Sequence, residues 1–183
     1  MLIEGIFLSG AHVGLRKLRI SDIEGGYGSW LNDLEVCRYN SHGRFPAAEE
    51  QLRKYVEGLD GRAADLVMAM IDLEDQKHIG NISLQNINYI DRSAEIAYLL
   101  GEKDYWGKGR AAEASRLLIS HGFERLNLQR IYCGTSDDNI RMQHLAERLG
   151  FVQEGRRRRA VYNNGKYHDI IEYGLLKSEW RVV

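Results

Sequence analysis

Two hydrophobic periods alternate along the chain, and the switches between them mark its elements. Residues 2–8 and 13–18 are short apolar segments joined across Gly10 and predict an opening strand pair. Ser21-Asp22-Ile23-Glu24 has capping-box spacing, and Ile23, Tyr27, Trp30 and Leu31 follow at helical intervals. Gly25, Gly26 and Gly28 weaken that helix. After the polar loop 38–44, Pro46 is expected to open a second helix with Leu52, Tyr55, Val56 and Leu59 on one face. Residues 66–71 and 78–87 read as a hairpin across the polar turn 73–77, and Ser93–Leu100 as a central strand. Residues 109–126 predict a long helix with Ala114, Leu117, Leu118 and His121 on its buried side, and 130–134 a strand. Asp137-Asp138-Asn139 caps a helix with Met142, Leu145, Ala146 and Leu149 at i, i+3, i+4 and i+7, closed by Gly150. Residues 151–162 and 166–176 flank Asn164-Gly165, the signature of a type I′ hairpin. The order predicts an α/β layered fold with a mixed, mostly antiparallel sheet flanked by helices.

Length and composition narrow the classes. The 183 residues suit one domain, 1–183, since no linker, repeat or low-complexity stretch divides them. Apolar residues at 44% and charged ones at 28% exclude a disordered chain. A net charge of −1 gives no reason to expect nucleic acid or an anionic membrane as partner. No apolar run approaches a membrane span, and no signal peptide is expected. Cys37 and Cys133 are far apart and outside any CxxC spacing, which fits a reducing cytoplasm and argues against a zinc site; no metal is expected.

The chemistry gathers between Ile96 and Ala114, where a buried strand meets a glycine-punctuated turn and a helix start. Amides at a helix N-terminus, with the dipole behind them, favour a pyrophosphate. Gly107 and Gly109 let it approach the main chain, and Lys108 and Arg110 add positive charge. GxxxxGK[ST] and GxGxxG are both absent, so the turn alone reads equally well as a plain tight turn.

Trp106–Ala111, WGKGRA, resembles the acetyl-CoA pyrophosphate loop [QR]xxGx[GA] of the GNAT N-acetyltransferase superfamily, with tryptophan in the first place as in its RimJ/RimL-like branch. Asn139 followed by a helix ending in Leu149-Gly150-Phe151 is the second hallmark. The resemblance spans about residues 13–180 and implies the GNAT fold, a splayed sheet holding acetyl-CoA between two parted strands. It further implies that main-chain groups of Tyr98, Leu99 and Leu100 hold pantetheine and the thioester oxygen. The amides of Trp106, Gly107, Lys108, Gly109, Arg110 and Ala111 would hold the pyrophosphate, and Asn139 would steady the pantetheine or the end of the wedge. Trp30–Asn40, His78–Ile87 and Gly165–Asp169 are similar to sugar-nucleotide amine acetyltransferases, although ribosomal-protein N-terminal acetyltransferases share most of these features.

An attacking alkylamine is mostly protonated at neutral pH, with a reference pKa of about 10.4, so a base is needed. Glu95, among apolar neighbours on the central strand, is the first candidate; a surface carboxylate paired with Arg92 or Lys103 is the plain alternative. His78 and His168 follow as bases. The GNAT slots for a general-acid tyrosine and serine hold Ala146 and Met142, so Tyr132, Tyr162 or solvent is left for that step, if the thiolate needs one. On the acceptor side Arg38 and Arg44 are candidates for a nucleotide diphosphate, and Tyr39 or Trp30 for stacking; His78 and Asn81 complete the expected acceptor set. The arginine run 156–159 reads as a charged edge strand. Three readings follow: an acetyl-CoA-dependent N-acetyltransferase acting on an amino sugar nucleotide, the same chemistry on a protein N-terminus or other small amine, and a non-catalytic acyl-CoA-binding module. A homodimer through the final hairpin is a further expectation.

Overall fold

The computed structural model of the chain describes residues 5–61 and 63–181; residues 2–4, the start of the first expected apolar segment, lie outside them. Eight strands form one sheet in the order β1-β2-β3-β4-β5-β6-β8-β7. They are β1 Ile6–Ser9, β2 Val13–Lys17, β3 Leu66–Asp72, β4 His78–Asn88, β5 Ser93–Leu100, β6 Arg130–Ser136, β7 Val152–Asn163 and β8 Lys166–Leu176. Every neighbouring pair is antiparallel except β5 with β6, which is parallel.

Helices cover both faces, and the strands divide their residues between two cores. Met68, Met70, Ala94 and Ile96 pack with Leu118, Ile119 and Phe123 of α3, Arg110–Glu124. Ala69, Ile71 and Leu99 pack on the other face with Trp30 of α1, Gly28–Trp30, and Leu52 and Val56 of α2, Glu49–Glu57. Residues on β3 are buried on both sides, which is why that stretch reads as a continuous apolar run. Leu118 and Ile119 are fully buried, each contributing about 1.5–3 kcal/mol of transfer free energy.

Three sequence expectations shift. The expected capping box gives way to a single bond: Arg19 N–H donates to Asp22 Oδ2 at 2.7 Å, and the Asp22 carboxylate is also held by the fork of Arg16. A wide turn, Ile23–Tyr27, with Gly25 outside helical angles, then precedes α1. Pro46 lies before α2, whose N-cap is Ala48. On α3 His121 is half-buried against Phe7, 5.2 Å between ring centroids, while Ala112, Ser115 and Gly122 take the inner side. The final hairpin is as expected: Asn164 and Gly165 have φ of 49° and 82°, the type I′ combination.

Candidate active site

Strands β5 and β6 share only three rungs, Ser93–Arg130, Ala94–Ile131 and Glu95–Tyr132. Beyond them β5 stays with β4 up to the Gly80–Leu100 pair, and β6 stays with β8 up to Ser136–Ile170. The sheet therefore opens as a wedge. Gly101 N–H donates to Ile79 O at 3.0 Å, so Gly101 faces β4. Backbone groups alternate sides along a strand, which directs those of Leu100 and Tyr98 into the gap. Trp106 Nε1 donates to Leu100 O at 2.9 Å, fixing the indole at the mouth.

The turn after β5 carries the sequence's glycine signal. Gly107 and Gly109 have φ of 76° and 77°, left-handed values that suit glycine, and no heavy atom lies within 4 Å of where a Cβ would be. Gly109 O takes the Glu113 N–H at 3.1 Å, so the amides of Gly109 to Ala112 project from the end of α3. Leu99 places its side chain in the α1–α2 core rather than the gap. Lys108 lies with its ammonium 5.2 Å from the Tyr105 ring centroid. Arg110 departs from the expected phosphate charge: its Nε donates to Asp72 Oδ2 at 2.6 Å, in a pair where Asp72 is 2% exposed. Ala111 follows in the first turn of α3. A cation that sequence reading missed stands opposite: Arg141 lies 6.0 Å from the Trp106 ring, joining the two walls of the mouth.

On the β6 wall, α4 spans Ile140–Arg148 with Asn139 as N-cap. Asn139 Oδ1 accepts from Met142 N–H at 3.4 Å and its Nδ2 donates to Thr135 Oγ1 at 3.0 Å, so the side chain ties α4 to the tip of β6. Ala146 is buried in the core. His168, on β8, is buried with Nδ1 3.2 Å from Asp137 and 3.3 Å from Asp138. These three offer ligand-type atoms within 4.8 Å of one another, but Arg156 already balances Asp137 at 3.1 Å.

The opposite face of β4 and β5 borders a cavity of about 560 Å³. Tyr27, Phe45 and Tyr55 line its helical side; Asn81, Ser83, Gln85, Ala97 and Leu99 line its sheet side. Burial pushes the Tyr27 phenol up and holds His42, also in the lining, below the ordinary histidine value. Glu95 shares the strand face of Ala97 and Leu99 and pairs across to Gln85. A bulge in β4 sets Asn86 at φ 52°, and its Nδ2 donates to Glu95 Oε2 at 3.3 Å. Neither suggested cation neutralises Glu95: Arg92 bonds Asn127, and Lys103 bonds Asp33 and Glu35. Tyr132 pairs with Glu95 at the wedge apex, where burial, and then the Glu95 charge, raises its phenol pKa.

The remaining acceptor candidates divide. Asn81 lines the cavity and His78 lies directly behind it, with Nε2 2.9 Å from Asn81 Oδ1. Trp30 is a packing residue instead: its ring is buried, meets His78 edge-on at 4.9 Å and donates Nε1–H to Glu102 at 3.0 Å. A Cβ on Gly101 would come within 1.9 Å of that ring. Arg38 lies over the exposed Tyr39 ring, with its main-chain O taken by Asn163 of the final hairpin, and Arg44 donates to Tyr162 O at 3.2 Å, so neither arginine lines the cavity. Tyr162 itself is exposed there.

Known proteins share this fold. Residues 12–152 fit the model of the acetyltransferase (GNAT) domain. The chain belongs to the GNAT acetyltransferase family. It is 41% identical over 153 residues to a Bacillus subtilis protein named "Putative ribosomal N-acetyltransferase YdaF", covering 84% of this chain and 79% of that one. Spermidine N-acetyltransferase from Vibrio cholerae, solved with CoA and spermine, superposes with a TM-score of 0.84 at 27% identity over 93% of this chain and 98% of that one. RimL, a ribosomal L7/L12 α-N-protein acetyltransferase solved with CoA, shares the fold with a TM-score of 0.84 at 23% identity, covering 93% and 97% of the two chains. This GNAT protein is an N-acetyltransferase that uses acetyl-CoA.

Proposed function

We propose that the enzyme acetylates the N-terminal amine of a peptide or protein, with acetyl-CoA in the wedge and the acceptor in the cavity. The observation that carries this reading is the cavity's chemistry. Among the described residues that line it there is no lysine or arginine, and one carboxylate, Asp65. A nucleotide diphosphate would meet no cation there, and the several charges of a polyamine would meet only Asp65 in the lining and the base Glu95 farther along the same sheet face. Aromatic rings and neutral amides suit a peptide end. The similarity to a protein named for ribosomal acetylation supports the same choice.

In this reading the amides of Gly109 to Ala112 and the cradle of Gly107 and Gly109 hold the pyrophosphate, with Lys108 and Arg141 beside it. The thioester supplies an activated acetyl group and a thiolate leaving group. The main chain of Tyr98 and Leu100 faces the gap where negative charge develops. Glu95, directly or through water, takes the proton of the incoming ammonium, and Tyr132 beside it holds a proton at neutral pH and can return it. His168, committed to the loop before α4, orients that loop.

The test is thiol release with three classes of acceptor: a peptide amide, a dTDP-linked amino sugar and spermidine. Release is expected with the peptide, and release confined to either of the others sinks the acceptor assignment. Glu95→Gln is expected to lower kcat on the peptide about 100-fold and to remove the rising limb of its pH–rate profile.

A further inference from the structure

We propose that His78 fixes the polarity of Asn81, so that the cavity recognises a carbonyl of the acceptor close to its amine. The proposal rests on the peptide-acceptor reading and deepens it. Its starting point is a forced sequence of hydrogen bonds. His78 Nε2 lies 3.0 Å from Gly80 O, which can only accept, so Nε2 carries the proton. The same Nε2 lies 2.9 Å from the Asn81 side chain, which must therefore present Oδ1 to it. This assignment holds whether the ring is neutral or charged, because Nε2 is a donor in both states.

The Asn81 amide group is then turned the other way, toward the cavity that Asn81 lines. Asn81 is 7% exposed and lines the cavity. Two residues along β4, Gln85 Nε2 donates to Ser83 Oγ at 2.9 Å, which sends the Ser83 hydroxyl proton onward as well. The sheet wall thus shows hydrogen-bond donors at Asn81 and Ser83, with the carboxylate of Glu95 farther along the same face. Buried donors without acceptors are costly, so a ligand that brings a carbonyl oxygen is favoured over one that brings only methylene. A peptide N-terminus carries that carbonyl next to its amine; an alkylamine or polyamine does not.

The support behind His78 is unusually rigid. Arg16 forks onto Asp22 at 2.6 and 2.8 Å, and Asp22 Oδ1 stands 3.5 Å from His78 Nδ1. The ring is wedged edge-on against Trp30. Among the described residues, His78 Nδ1 is the buried side-chain polar atom that makes no hydrogen bond. The ring therefore has its donating edge committed to Gly80 and Asn81 and no competing bond to turn it. His78 acts here as a positioning residue, through Asn81.

The experiment compares kcat/KM for alanyl-alanine amide and for an n-alkylamine of equal length, by thiol release with saturating acetyl-CoA. Asn81→Ala is expected to lower the peptide-to-alkylamine ratio about tenfold, with the change in KM rather than kcat. Asn81→Asp, which replaces the donor by an anionic acceptor, is expected to lower the ratio further. His78→Leu should lower it as Asn81→Ala does, and His78→Gln, which keeps an N–H to hold Oδ1, should restore most of it. An unchanged ratio in both Asn81 variants, with peptides still acetylated by the parent, overturns the proposal and leaves the acceptor reading standing. A parent that acetylates no peptide removes both. If His78→Leu fails to fold, the Asn81→Asp result decides.

Discussion

The wedge where we place acetyl-CoA and the cavity where we place the acceptor share strand β5 but are made of different material. The wedge presents main chain: the Tyr98 and Leu100 groups left over where β6 departs, and the amides that α3 cannot use. The cavity presents side chains drawn from α2, the loop before it, β3, β4 and β5. A site made of backbone is insensitive to most substitutions and depends on a few conformations. One made of side chains can be respecified residue by residue on an unchanged scaffold. On our assignment, that contrast accounts for solved structures that share this fold yet carry names as different as ribosomal L7/L12 and spermidine acetyltransferase.

The contrast can be broken most severely at Gly109. Valine there must adopt a φ of 77° and puts its Cβ into the open space over the turn. Losing amide–phosphate contacts worth about 4 kcal/mol together corresponds to roughly a thousandfold weaker acetyl-CoA binding, while strain of about 2 kcal/mol, present with and without cofactor, lowers folding stability instead. Calorimetric titration checks this, and parent-like affinity would show that the turn is not where the cofactor is held.

A second substitution sharpens the contrast. If the turn binds through its backbone, the charge of Arg110 serves stability instead of affinity. Arg110→Met strands Asp72, which is 2% exposed, and should cost about 3 kcal/mol in denaturant unfolding while acetyl-CoA affinity changes little. A large loss of affinity with normal stability would reverse that assignment.

The smallest effect is a pH dependence that belongs to the side-chain wall. Burial holds His78 and His42 below the ordinary value of 6.5. Below pH 6.5 the unfolded chain takes up protons that the folded chain refuses, so stability falls as the pH drops through that window. Asp22 adds a second decline below 3.8: burial alone would raise its pKa, but the Arg16 fork and the Arg19 amide outweigh it and hold the carboxylate ionised. Urea midpoints at stepped pH should show the first decline, and replacing both histidines by phenylalanine should flatten it. A parent curve level from pH 7 to 5 contradicts the assignment.

The same division governs what could be read from the chain. The glycine turn, the Asn139 cap and the Asn164-Gly165 hairpin were legible because each rests on a local conformation that few residues allow. The parting of β5 and β6 was not, since the strand residues carry no mark of where pairing stops; only the family resemblance supplied it. The destination of Arg110 was hidden because Asp72 lies 38 positions away. Arg141 and the tyrosines of the cavity escaped for the same reason. One signal was present and overlooked: Asn81, Ser83 and Gln85 place polar groups at every second position of an otherwise apolar strand, the pattern of a face turned to a wet cavity rather than to a helix.

The three-rung junction between β5 and β6 has a consequence for the life of the protein. It is as short as the β1–β2 pairing at the sheet's edge, and of the two cores the one under α3 extends across its line. Whatever fills the gap above it acts as mortar between two halves of the molecule, and does so for the folded chain alone. With acetyl-CoA placed there as we propose, binding to the folded chain alone would stabilise it by mass action, and supply of the acetyl donor would bear on how long its consumer endures as well as on how fast it works.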